Sequence, residues 1–136
     1  MIRSIPAWRA EFRALFVFFT AALLVATHWP GLSVEGPIDR TDLVIHVGVF
    51  CVWTILLYGA GFVAAGGLCS CGRRRLVWTT VAGLCFAVFD ETTQPLFGRM
   101  FDLWDLAADC VGVLLGVGLI ALARRFVGGA ALSLGE

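Results

Sequence analysis

The arginines and the acids of this chain lie in different segments, with apolar runs between them. All ten basic residues are Arg. Eight of them fall in three places: Arg3, Arg9 and Arg13; Arg73, Arg74 and Arg75; Arg124 and Arg125. Eight of the ten acids fall in two others: Glu35, Asp39 and Asp42; Asp90, Glu91, Asp102, Asp105 and Asp109. Four apolar runs separate these clusters: Ala14 to Thr27, Leu43 to Leu68, Leu76 to Phe89 and Leu103 to Ala123. Cytoplasmic segments of membrane proteins are rich in Arg and Lys. Four membrane crossings with both ends inside satisfy every cluster at once.

Composition agrees. The 136 residues suffice for one small domain. They are 15% charged and 60% hydrophobic, with a mean hydropathy of +0.90, whereas a soluble domain carries about 25% charged residues. The expected fold is all-α: a polytopic membrane protein, a bundle of four transmembrane helices, N-in and C-in, with helix packed on helix. Membrane lipids are the first expected partner, and an oligomer is compatible with the pattern. No basic face of the kind nucleic acid requires is present.

Residues 1–13 read as a cytoplasmic Arg-rich N-terminus, 14–125 as the membrane domain and 126–136 as a flexible cytoplasmic tail, small and Gly-rich. The spans are placed at about 12–29, 43–68, 76–94 and 103–123. A cleaved signal peptide is the rival reading of the first run, but Leu24-Val25-Ala26-Thr27 matches the Ala-x-Ala site poorly. Trp8 and Trp29 suit the two interfaces. Pro30 to Asp42 is a loop, and Pro95 closes the third helix. Of five cysteines, Cys51, Cys85 and Cys110 sit inside apolar runs and read as small buried hydrophobes. Cys69 and Cys71 form a CxC without the second ligand pair that zinc needs, which favours a reduced loop.

Depth counting turns the Phe89–Gly116 stretch from a charged loop into a site. Asp90 lies fourteen residues past Leu76, a helical rise of roughly 21 Å in a hydrocarbon core about 30 Å thick. Asp109 lies fifteen residues before Arg124 and reaches a similar depth, roughly 22 Å. His46 is one turn into the second span, at the same outer end. A carboxylate at that depth costs on the order of 2–3 kcal/mol unless paired, hydrated or protonated. The acids should therefore turn inward, with Arg99 and His46 as the counter-charges at hand.

Spacing supports this. Asp102, Asp105, Asp109, Gly112 and Gly116 share one face of the fourth helix. Gly112-x-x-x-Gly116 permits close helix packing. Asp90 and Gln94 share a face of the third helix, and Asp42 and His46 one of the second. Asp102 also suits an N-cap. The binding candidates are thus Asp42, His46, Asp90, Glu91, Gln94, Arg99, Asp105 and Asp109, with His46, Asp90 and Glu91 as candidate acid–base groups. Arg99 suits a phosphate or carboxylate. No cofactor is called for. His46 with the acids offers hard ligands for a divalent metal, but no H-E-x-x-H-type spacing supports one. The same residues suit a proton relay, and spacing does not separate these uses.

At these residues the chain resembles the VanZ-like family of small membrane proteins. The family pattern is Asp-Lys-x-x-His, then Asp-Glu-x-x-Gln, then Arg, Asp and Asp/Asn-x-x-Gly. It is matched here by Asp42 to His46, Asp90 to Gln94, Arg99, Asp105, and Asp109 to Gly112. Leu43 stands where the family commonly has Lys, with Arg40 as the available replacement. The resemblance covers roughly residues 30–120 and implies a multi-span envelope protein whose matched polar residues form one site. The family's namesake is associated with low-level resistance to the glycopeptide teicoplanin. The function expected is an outward-facing pocket that binds or modifies a cell-envelope component in the cell membrane, such as a lipid-linked or glycopeptide-like molecule. The alternatives are a membrane-embedded enzyme acting on a lipid head group and a proton-coupled carrier.

Overall fold

The computed structural model describes residues 7–32, 40–65 and 72–133. Every regular element among them is helical: α1 (Ala7–His28), α2 (Thr41–Ala60), a single turn α3 (Phe62–Ala65), α4 (Gly72–Thr93) and α5 (Leu103–Ser133). A 3-10 turn, Gln94–Phe97, links α4 to α5. Cys69, Cys71, Glu35 and Asp39 lie outside the described residues.

Three helices are long and apolar enough to cross a membrane: Arg9–His28, Thr41–Ala60 and Leu103–Phe126. At 1.5 Å per residue their lengths are about 30 to 36 Å, enough for the hydrocarbon layer. α4 is as long as α1, but it carries three Arg in its first turn and Asp90 and Glu91 in its last two. Its apolar middle, residues 76–89, is correspondingly short. Large side chains point outward all round the bundle, among them Phe18, Val25, Val52, Val81, Leu114 and Leu119. Such a surface is compatible with lipid.

The second apolar run is not one continuous helix to Leu68. It stops at Ala60, where Gly61 adopts a left-handed φ of 71° and its N–H bonds to the Tyr58 carbonyl at 3.3 Å. A glycine tolerates this conformation without the Cβ penalty. Arg13 Nε donates to the Ala60 carbonyl at 3.1 Å, and Arg75 donates to that of Tyr58. The exposed carbonyls at this helix end are thereby satisfied. α5, in contrast, continues beyond Arg125 as far as Ser133.

α2 and α5 form the most extensive pair, and α1 packs chiefly on α2. Glycine explains the closeness of the first pair. A Cβ at Gly112 would strike the Val47 carbonyl oxygen, and one at Gly116 would lie 2.8 Å from that of Cys51. Gly83 brings α4 onto Val113 of α5 in the same way. The apolar centre joins Leu23, Phe50, Trp53, Leu57, Ala87 and Val113. Trp53 stacks on Phe86 with centroids 4.4 Å apart, and its Nε1 donates to the Thr20 hydroxyl at 3.0 Å. Cys51 is buried here, but Cys85 is exposed, on the same outward side of α4 as Val81 and Val88.

Candidate functional site

Four helices and one turn deliver polar side chains to the same end of the bundle. The first turns of α5 carry Asp105 and Asp109 on the face that continues into Gly112 and Gly116, all four buried. That face meets α2 at His46. His46 Nδ1 is 2.8 Å from Asp109 Oδ1, and Nε2 is 3.9 Å from Asp105 Oδ2. The last turns of α4 contribute Asp90 and Glu91, neither of which is exposed at all. Gln94 follows in the 3-10 turn, and its Nε2 donates to Glu91 Oε1 at 2.7 Å. Glu91 Oε2 accepts the main-chain N–H of Asp102 at 3.4 Å. The helices therefore bury Asp90, Glu91, Gln94, Asp105 and Asp109 and bring His46 among them, as depth counting predicts.

Asp102 is the member of the acidic stripe that stays at the surface. Its Oδ1 accepts the Trp104 N–H at 2.7 Å, which caps α5. Its other oxygen pairs with Arg40 at 3.5 Å. Arg40, just ahead of α2, also lies over the Trp104 ring at 5.9 Å. Arg40 thus places a cation at the rim, close to the start of α5. Arg99 takes a different place from the one its neighbourhood in sequence suggests. It donates to the Leu32 carbonyl at 2.6 Å. Among the described residues no Arg pairs with Asp90, Glu91, Asp105 or Asp109. The nearest charge partners of the buried acids are the two imidazoles.

The second imidazole, His28, and its neighbour Thr27 are the site residues that sequence reasoning misses. The Thr27 hydroxyl donates to Asp90 Oδ1 at 2.9 Å. His28 Nδ1 lies 3.8 Å from the same oxygen, and Nε2 is 2.8 Å from the Thr93 hydroxyl. One signal was available: the chain has two His, and both fall at the acid end of an apolar run.

Three buried carboxylate oxygens, Asp90 Oδ2, Asp105 Oδ1 and Asp109 Oδ2, accept no hydrogen bond from any described residue. Next to this cluster a cavity of about 430 Å³ opens between α1 and α2. Its apolar wall includes Leu23, Val49 and Phe50, and its polar edge is Asp42, His46, Arg99 and Asp105. Asp42 and His46 thus share a face, as their spacing predicts.

At the opposite end lie Arg9, Arg75 and Arg124. Arg9 and Arg75 flank Gly61, and Arg124 donates to the Gly72 carbonyl at 2.7 Å.

An all-helical bundle with lipid-compatible walls and a buried polar cluster at one end defines an integral membrane protein. The chain belongs to the VanZ/LLP1 family, whose model matches residues 4–124. Nothing among the curated proteins or the solved structures matches it.

Proposed function

We propose that this VanZ-like protein crosses the cell membrane four times, α4 included, and uses the acid end of its bundle to bind or modify a cell-envelope component. The observation that carries this reading is the two-faced cavity. An apolar wall of Leu23, Val49 and Phe50 meets a polar edge of Asp42, His46, Arg99 and Asp105. A lipid-linked molecule has the same division, an apolar chain joined to a polar head. Arg99 at the edge suits a phosphate or carboxylate on that head. The volume falls within the range of about 300–1,000 Å³ usual for small-molecule sites. It fits a head group with the start of its chain better than a whole glycopeptide.

The Arg-bearing end supports a cytoplasmic assignment for both termini, which turns the cavity outward. There the arginines meet anionic lipid head groups, worth about 1 kcal/mol each near a charged surface.

A second reading, an enzyme acting on a lipid head group, draws on the His46–Asp109 contact of 2.8 Å. A carboxylate so placed orients an imidazole for proton transfer. A proton-coupled carrier has less support. Among the described residues, the buried polar side chains towards the Arg end are Thr54 and Thr79, whose hydroxyls donate to the Phe50 and Arg75 carbonyls.

The test is the change of Asp90, Arg99 and Asp105 singly to Ala in cells, with an envelope-stress or glycopeptide-susceptibility phenotype as readout. Loss of the phenotype at unchanged membrane abundance is the expected result. A parallel fall in abundance would make these residues structural and overturn the reading.

A further inference from the structure

Four buried carboxyl groups stand at one end of the bundle, with two imidazoles beside them and, among the described residues, no arginine paired to them. Charge buried in this way needs compensation by a proton or a cation. The geometry bears on which. One ligand atom each from His46, Glu91 and Asp109 all lie within 4.8 Å of one another. Around an octahedral ion with bonds of about 2.1 Å, adjacent ligands are about 3 Å apart and opposite ones about 4.2 Å. The 2.8 Å between His46 Nδ1 and Asp109 Oδ1 suits an adjacent pair. No spacing in the set is wider than 4.8 Å, so a small side-chain adjustment at most brings all three onto one ion.

The surroundings are those of a held ligand set. Asp109 is wholly buried, yet its Oδ2 accepts no hydrogen bond among the described residues. Such an oxygen costs stability unless something occupies its lone pairs. Glu91 is oriented by the Gln94 amide at 2.7 Å and the Asp102 N–H at 3.4 Å. Outer partners of this kind fix metal-binding carboxylates. His46 also lines the cavity, which supplies an entry path.

We infer that His46, Glu91 and Asp109 bind a divalent metal ion beside the cavity, with His46 as the ligand that lines both. One imidazole and two carboxylates favour a first-row ion of the Mn²⁺ or Zn²⁺ kind over Ca²⁺ or Cu⁺. Three protein ligands leave coordination positions open, so the ion can also hold a water or an anionic oxygen of a molecule in the cavity. Asp105 stands beside the set and adds negative charge that draws the cation in. This inference rests on the reading of the acid end as the working site, and gives that site its anion-binding element.

The test uses the full chain purified in detergent, stripped with chelator and titrated with Mn²⁺ by electron paramagnetic resonance, with Zn²⁺ followed by dialysis and elemental analysis. Saturable binding of one ion per chain is expected. His46→Ala and Asp109→Asn should each weaken it by roughly tenfold or more. Glu11→Gln, an exposed acid near the start of α1, should bind like the parent. Each variant is scored only as a monodisperse peak. Glu91→Gln serves if either fails, and ion-dependent protection of the parent against heat gives a readout free of mutation. No saturable binding, or binding unchanged in the variants, would overturn the inference. If no ion binds but the Asp90, Arg99 and Asp105 variants lose their phenotype at normal abundance, the metal falls and the envelope reading stands. If the ion binds and those variants keep the phenotype, the envelope reading falls instead.

Discussion

Asp90 Oδ1 receives its hydrogen bond from a helix that the acid motif does not include. Thr27 of α1 donates it across the bundle at 2.9 Å. Thr27→Val keeps the shape and removes the donor, so it should destabilise the protein by about 1–3 kcal/mol, the penalty for a buried group left unpaired. Thr92→Val, at an exposed hydroxyl that donates only to its own helix, should stay within about 0.5 kcal/mol. Denaturant titration in detergent compares the two. The burial of the acids was legible in the sequence, because carboxyl groups at the ends of apolar helices are costly unless they turn inward. Thr27 was not. Its hydroxyl also lies 3.1 Å from the Leu23 carbonyl, the local contact that Thr20, Thr79 and Thr80 make on their own helices. Nothing in the chain marks which threonine will reach outward. Arg99 was legible as a cation near the acid end but not in its contact, since a loop's path decides whether it meets an acid or the Leu32 carbonyl.

At the level of elements, the α2–α5 seam depends on two glycines that the motif spacing already marked. Gly112→Leu would drive a side chain into Val47 and Phe50. Overpacking of this kind costs about 1–3 kcal/mol, and it should lower the thermal midpoint in detergent. Gly118 is exposed, and a Cβ added there would meet nothing within 4 Å. Gly118→Leu on the same helix should therefore leave the midpoint unchanged or raised, because leucine is the better helix former. The close packing was readable because a small residue every fourth position has one physical use. The end of α2 was not. Residues 61–68 remain apolar, and a helix that is greasy on all sides has no periodicity to lose when it stops. Only the φ of Gly61 reveals the break.

For the whole molecule, the separation of arginines from acids is a prediction about sidedness. A reporter fused after Glu136 should read cytoplasmic, and a cysteine placed at Gly98, exposed in the α4–α5 link, should react with an impermeant reagent added from outside. The opposite pair of results would invert the bundle and close the cavity to the envelope. One further consequence follows from the glycine seam. Asp109 sits one turn from Gly112, and His46 next to Val47, where the two main chains touch. The range open to the gap between imidazole and carboxylate is therefore framed by two backbones in contact, with side-chain rotamers as the remaining freedom. At the acid end of the bundle the main chains of α2 and α5 have little room to move along that line. Adjustment to an occupant would fall to α1 and α4, joined there through Thr27, His28 and Asp90, while α2 and α5 keep their gauge.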